Sequence, residues 1–238
     1  MTEKLDVLFF GAHPDDVELT CGGTAAKLVK AGKKIGIIDL TKAELSSRGN
    51  PELREKETAA ATEILGASIR ENLALSDGNI TNDPDSRLKV ISVIRKYKPA
   101  LVFAPYPGDR HPDHIHASEL IREAAFYSGL AKIADGNDPH RPHKVYYYPQ
   151  AYDIPVSFVF DISDTFDIKM HAIKSYGSQF FNPGYEQNEP VTLISSELFY
   201  KEIEARARHY GFKIGVEFGE PFFSYESVKA DAETIFEI

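Results

Sequence analysis

Two short apolar runs near the start, Leu5 to Phe10 (LDVLFF) and Lys34 to Leu40 (KIGIIDL), limit what this chain can build. Neither alternates strictly between apolar and polar residues. Each therefore reads as a strand buried on both faces, as in a parallel sheet covered by helices. The segments around them have helical character. Val17 to Ala31 predicts one helix, and Pro51 opens another that runs to about Leu65. Ile69 to Leu75 reads as a weaker strand, and Pro84 or Asp85 to Tyr97 as a helix stopped by Pro99. Ala100 to Ala104 is the next strand, followed by a helix from about Asp113 to Leu130. This βαβα order predicts an α/β, Rossmann-like fold, a mostly parallel sheet with helices on both faces. Further on, Lys144 to Tyr148 and Ser157 to Asp161 read as strands, and Phe166 to Tyr176 and Ser195 to Tyr210 as helices. The turn-rich stretch 181–190 (FNPGYEQNEP) reads as a surface loop. No repeat or linker interrupts the pattern, so residues 1–238 are expected to form one domain.

Composition excludes several classes of partner. A formal net charge of -9 argues against nucleic acid or an anionic membrane surface. No apolar run approaches the roughly 18–20 residues needed to span a bilayer, and the first strand begins without a signal-peptide pattern. The single cysteine, Cys21, rules out an intrachain disulfide and fits a reducing cytoplasm. It lies among small residues in a helical segment, where core packing is its expected role.

The chemistry-bearing residues lie in two loops, each directly behind an apolar run. The first reads GAHPDDVE (Gly11 to Glu18) and the second DRHPDH (Asp109 to His114). In a doubly wound sheet, binding chemistry gathers at such strand ends. His13 and Asp16 are three positions apart and can face one ion, and His114 can add a third ligand. Two imidazoles and a carboxylate suit zinc, favoured here for hydrolytic chemistry, and also ferrous iron. Asp15, beside a ligand, can then act as general base toward the attacking water. His111 can donate a proton or stabilise an oxyanion, with Asp113 to orient it and favour its charged form. An anionic substrate entering so acidic a site needs nearby cations, for which Arg54 and Arg110 are the candidates. Taken singly, each loop has a simpler explanation, an aspartate capping a helix behind a proline turn. Two such loops in equivalent places favour a divided metal site. A dinucleotide-binding protein is disfavoured, since G-x-G-x-x-G is absent and Asp15 and Asp16 would repel a pyrophosphate. A non-catalytic metal- or sugar-binding module is the remaining rival class.

GAHPDDVE followed by HPDH resembles the LmbE-like, or PIG-L, family of zinc-dependent N-acetylglucosamine deacetylases. Within it, Leu40 to Glu57, Phe103 to His114, YGSQF (Tyr176 to Phe180) and GVEFGEPF (Gly215 to Phe222) look like the branch acting in bacillithiol biosynthesis. The resemblance implies His13, Asp16 and His114 as metal ligands and Asp15 as general base. It further implies His111, with Asp113 as its partner, in transition-state stabilisation or acid catalysis. The substrate so implied is N-acetylglucosaminyl L-malate, whose dicarboxylate gives Arg54 and Arg110 a purpose, with mycothiol-like or chitobiose-like N-acetylglucosamine conjugates as the alternatives. A homo-oligomer, possibly a hexamer, is implied as well.

Overall fold

The central strand β1 (Val7–Gly11) is buried along its whole length because it serves two cores at once. In the computed structural model, which describes residues 4–185 and 188–227, Leu8 and Phe10 face one core and Val7 and Phe9 the other. That double burial is why the strand reads as a continuous apolar run. Each of these side chains contributes about 1.5–3 kcal/mol on leaving water. β1 pairs in parallel with β2 (Ile35–Thr41) on one side and β4 (Leu101–Pro105) on the other. Outside these lie β3 (Ile69–Leu75) and β5 (Lys144–Tyr148), also parallel, giving the order β3-β2-β1-β4-β5. Phe9 stands opposite Phe103 of β4 in register, and their rings stack at 4.6 Å.

Helices cover both faces, as the element order predicts. α3 (Pro84–Tyr97) and α4 (Pro112–Tyr127) pack Val90, Ile94, Leu120 and Ile121 against Leu8 and Phe10. α1 (Asp16–Lys30), α2 (Pro51–Leu65) and α5 (Phe166–Ser175) pack Val17, Ala25, Leu65 and Ile173 against Val7 and Phe9. Among the described residues no helix is long and apolar enough to cross a membrane.

The final third departs most from the sequence-based reading. β6 (Phe158–Asp161) does not join the main sheet but pairs antiparallel with β7 (Gly219–Phe222). β7 is not predicted, because Gly219 and Pro221 speak against a strand; a two-stranded ribbon tolerates them, since every strand in it is an edge. α6 (Glu197–Lys213) starts later and runs further than expected, with Ser196 accepting the Phe199 N–H as its cap. Of the turn-rich 181–190 loop, residues 186 and 187 lie outside the described residues.

β7 is tied to the main body by a buried ion pair. α1 leaves helical geometry at Cys21 (φ -133°, ψ 21°), which frees backbone N–H groups in the following turn. The Glu220 carboxylate accepts from Gly23 N–H (3.1 Å), Thr24 N–H (2.7 Å) and the Thr24 hydroxyl (2.6 Å). Lys169 of α5 supplies the countercharge at 2.6 Å, and both side chains are almost fully buried. Cys21 itself is buried in the core beside this joint, as expected. Lys169→Met removes one partner and leaves Glu220 charged and unpaired, so urea denaturation is expected to show a loss of about 3 kcal/mol. A loss under about 1 kcal/mol would mean that the N–H groups and the hydroxyl alone balance the carboxylate.

Candidate active site

All five parallel strands end at the same edge, and their loops enclose a cavity of about 380 Å³. β1 is followed in sequence by β2 on one side but has β4 on its other side, so a crevice opens between the loops after β1 and β4. Those two loops carry His13, Asp15 and Asp16, and His111 and His114, and all five residues line the cavity. The first loop turns very tightly at Gly11, where a Cβ would come within 2.9 Å of the His13 carbonyl oxygen. Leu19, Phe180, Leu193 and Phe199 give the cavity an apolar part of its lining.

His13, Asp16 and His114 offer ligand atoms within 4.8 Å of one another. His114 Nε2 stands 3.3 Å from Asp16 Oδ1, and His13 Nδ1 stands 3.7 Å from Asp16 Oδ2. The electrostatics fit a cation at this point. Burial alone would lower the pKa of His114, but Asp16 and Asp109 outweigh it and raise it to about 9. His13 is likewise raised, burial being overcome by Asp113, Asp16 and Asp77. Burial opposes ionisation of Asp16 too, yet His114 and His13 hold it well below the usual carboxylate range. The same surroundings that favour positive charge on the two imidazoles would favour a divalent ion between them, which would bind in exchange for protons.

Asp15 occupies the N-cap of α1 in a left-handed conformation (φ 116°, ψ -22°) that only a few non-glycine residues adopt. Its carboxylate makes no cap hydrogen bond. It turns instead to Arg54 of α2, whose Nη1 donates to Asp15 Oδ2 at 2.9 Å and to the Pro14 carbonyl at 2.6 Å. Burial pushes the Asp15 pKa up to about 7, against the pull of Arg54, and a carboxylate so poised suits proton transfer near neutrality.

His111 caps α4, its Nδ1 accepting the Asp113 N–H at 3.2 Å. In the neutral ring this leaves the proton on Nε2, so the imidazole can still donate. The side chain of Asp113 is arranged differently from the sequence-based expectation. Its carboxylate accepts from Gly78 N–H (2.7 Å) and Ile80 N–H (3.4 Å) and stands 3.4 Å from His13 Nε2. Asp113 therefore steadies His111 through its backbone rather than its carboxylate. Nor is the charged form of His111 favoured on balance. Burial and the neighbouring His13 and His114 lower its pKa, outweighing the opposite influence of Asp113. The two arginines also separate. Arg54 is buried and engaged with Asp15, whereas Arg110 is exposed at the cavity rim with no carboxylate partner among the described residues.

Asp109, Asp77 and Gln150 are polar residues of the cavity wall that the sequence-based set lacks. Asp109 Oδ1 bonds His114 Nδ1 at 2.9 Å, which directs Nε2 of that ring toward Asp16. Its place at the head of DRHPDH was the available signal. Asp77 stands 3.1 Å from His13 Nε2 and accepts the Leu45 N–H at 2.7 Å, so it joins the loops after β1, β2 and β3. Its position just past β3 marked it only weakly. Gln150, just beyond β5, is buried with its Nε2 lacking a hydrogen-bond partner. No motif pointed to it.

The PIG-L family model, described as GlcNAc-PI de-N-acetylase, matches residues 8–125. The diacetylchitobiose deacetylase of Thermococcus kodakarensis is 30% identical over 222 residues, covering 87% of this chain and 82% of that one. The crystal structure of a conserved protein from Thermus thermophilus superposes with a TM-score of 0.87 at 38% identity, over 96% of this chain and 98% of that one. The N,N'-diacetylchitobiose deacetylase from Pyrococcus horikoshii superposes with a TM-score of 0.79 at 26% identity, over 91% and 82%. Asp109 orients a metal-ligand candidate, so Asp109→Ala should weaken metal affinity by roughly 10–100-fold in a competition titration with a chromogenic chelator. Unchanged affinity would remove Asp109 from any part in holding the ion.

Proposed function

We infer, from the premise that this chain belongs to the PIG-L family, that it is a metal-dependent hydrolase removing acetyl from an N-acetylglucosamine conjugate. One observation carries this reading: three convergent ligand residues, His13, Asp16 and His114, with Asp15 directly beside them at the wall of a cavity. The cavity of about 380 Å³ is within the range that encloses small ligands.

The donor set of two imidazoles and one carboxylate suits zinc and would also hold ferrous iron. A divalent ion held there supplies Lewis acidity toward the amide carbonyl and acidifies water. Asp15 takes a proton from the water as its oxygen attacks the acetyl carbon. The Nε2 proton of His111 hydrogen-bonds to the carbonyl oxygen as that atom gains negative charge. When the C–N bond breaks, the proton held by Asp15 passes to the departing amine, leaving acetate and a free glucosamine nitrogen. A neutral His111 is well suited to this role, since a polarised N–H stabilises an oxyanion without first having to acquire a proton.

For the substrate we propose N-acetylglucosaminyl L-malate, which would place the enzyme in bacillithiol biosynthesis as a cytoplasmic homo-oligomer. The exposed guanidinium of Arg110 at the rim, without a carboxylate partner among the described residues, supports an anionic aglycone. Acetate release from this conjugate, from free N-acetylglucosamine and from N,N'-diacetylchitobiose, each with and without chelator, tests both levels. Chelator-sensitive turnover of the malate conjugate alone is the expected result. Equal turnover of all three would retain the deacetylase and discard the malate preference, and no release from any would overturn the activity.

Two substitutions separate the roles. Asp15→Ala should retain metal while lowering kcat by about 10²-fold or more, and full kcat in that variant would dismiss Asp15 as the base. His13→Ala and His114→Ala should instead lose bound metal in elemental analysis of the purified protein, and undiminished metal in either would exclude that residue as a ligand.

A further inference from the structure

We propose that Arg54 is a positioning residue for the general base, not a binding site for a substrate anion. The inference rests on Asp15 as the base, and four observations support it. First, Asp15 stands where an aspartate ordinarily accepts N–H groups of its own helix, yet it makes no such bond. Second, Arg54 supplies the alternative, binding Asp15 Oδ2 and the Pro14 carbonyl through one nitrogen at 2.9 and 2.6 Å. Third, the guanidinium is itself held in place. Its Nη2 donates to the Ser46 hydroxyl at 3.2 Å, and its Cζ lies 5.9 Å from the Tyr176 ring centre. Ser46 in turn donates to Gln179 Oε1 at 2.9 Å, so the loop after β2 and the YGSQF segment both brace the arginine. Fourth, Asp15 Oδ1 has no hydrogen-bond partner among the described residues.

These contacts explain how a strained loop keeps its carboxylate aimed. Without Arg54, the nearest alternative for the Asp15 side chain is the N-terminus of α1, whose N–H groups attract a carboxylate strongly. The guanidinium overrides that attraction, holds Oδ2, and leaves Oδ1 as the proton acceptor. Lysine cannot reproduce the arrangement, because a single ammonium lacks the planar fork that reaches Pro14, Asp15 and Ser46 together. The division of labour between the arginines follows: Arg54 aims the base, and Arg110, exposed at the rim with no carboxylate partner among the described residues, is a cation left for an anionic aglycone.

The test compares wild type, Arg54→Met and Arg54→Lys on N-acetylglucosaminyl malate and on uncharged N,N'-diacetylchitobiose, with metal content and melting temperature recorded for each. Misplacing the base should lower kcat by about 10²-fold on every substrate that wild type turns over, with KM little changed. Added guanidinium ion should restore part of the kcat lost in Arg54→Met. A rise in KM confined to the malate conjugate, with kcat kept, would overturn the proposal and make Arg54 a substrate-anion site. Crystal structures of the two variants supply a readout independent of turnover. The Asp15 carboxylate should swing onto the N-terminus of α1, and an unmoved carboxylate would equally overturn the proposal. Wild type inactive on both substrates would defeat the deacetylase reading instead, while the structural arm would still decide what Arg54 holds.

Discussion

Five carboxylates, those of Asp15, Asp16, Asp77, Asp109 and Asp113, converge on one cleft at the ends of the parallel strands, and each is almost wholly removed from water. Like charges so close together and so poorly solvated repel strongly, and the surrounding structure answers that repulsion group by group. His13 and His114 lie between Asp16, Asp77, Asp109 and Asp113. Backbone N–H groups of Leu45, Gly78, His111 and Ala151 are turned toward the outer three. Asp15 alone relies on an arginine. The same concentration of carboxylates and imidazoles makes His13, Asp16 and His114 a candidate site for a divalent cation, which would complete the balance.

A second buried charge network lies behind the first and supports it. Arg70 of β3 bonds both oxygens of Asp39 of β2, at 2.7 and 2.9 Å, and also the Glu18 carboxylate in the first turn of α1. The Tyr176 hydroxyl donates to the same Glu18 oxygen at 3.2 Å. Glu18 ends the GAHPDDVE motif, so this network anchors the helix that carries Asp16 to two neighbouring strands and to the end of α5. Replacing any one member leaves another buried and uncompensated, a cost that makes the arrangement rigid. Rigidity here has a chemical use, because ligand geometry and the aim of Asp15 both depend on where α1 begins.

The cleft thus divides its work by distance from the crevice between β1 and β4. Ligand candidates sit at the crevice, their orienting carboxylates one loop further out, and the proposed base, Asp15, on the α2 side against Arg54. His111 faces them from the cap of α4, its surroundings disfavouring the charged form and its Nε2 without a hydrogen-bond partner among the described residues. Leu19, Phe180, Leu193 and Phe199 in the lining lower the local polarity of the cavity, where electrostatic effects gain strength.

Much of this was legible without coordinates. The apolar runs at β1 and β2 and the helical segments between strands dictated a parallel sheet, since only strands covered on both faces leave such runs. The limits of β3 and β5 and the start of α2 agree with their patterns to the residue, because Pro51 and the flanking turns punctuate them locally. GAHPDDVE and HPDH declared the ligand and base candidates, since each packs several chemical groups into a few positions. Other features are decided by tertiary structure. That Arg54 reaches Asp15, that Asp113 turns to His13 and Gly78 rather than to the His111 ring, and that Asp77, Asp109 and Gln150 join the wall all depend on which strand ends meet. The pairing of β7 with β6 depends likewise on Glu220 finding the kinked turn of α1. A sequence lays out donors and acceptors along one dimension, and a buried polar group takes its partner from whatever the packed sheet brings within about 3 Å.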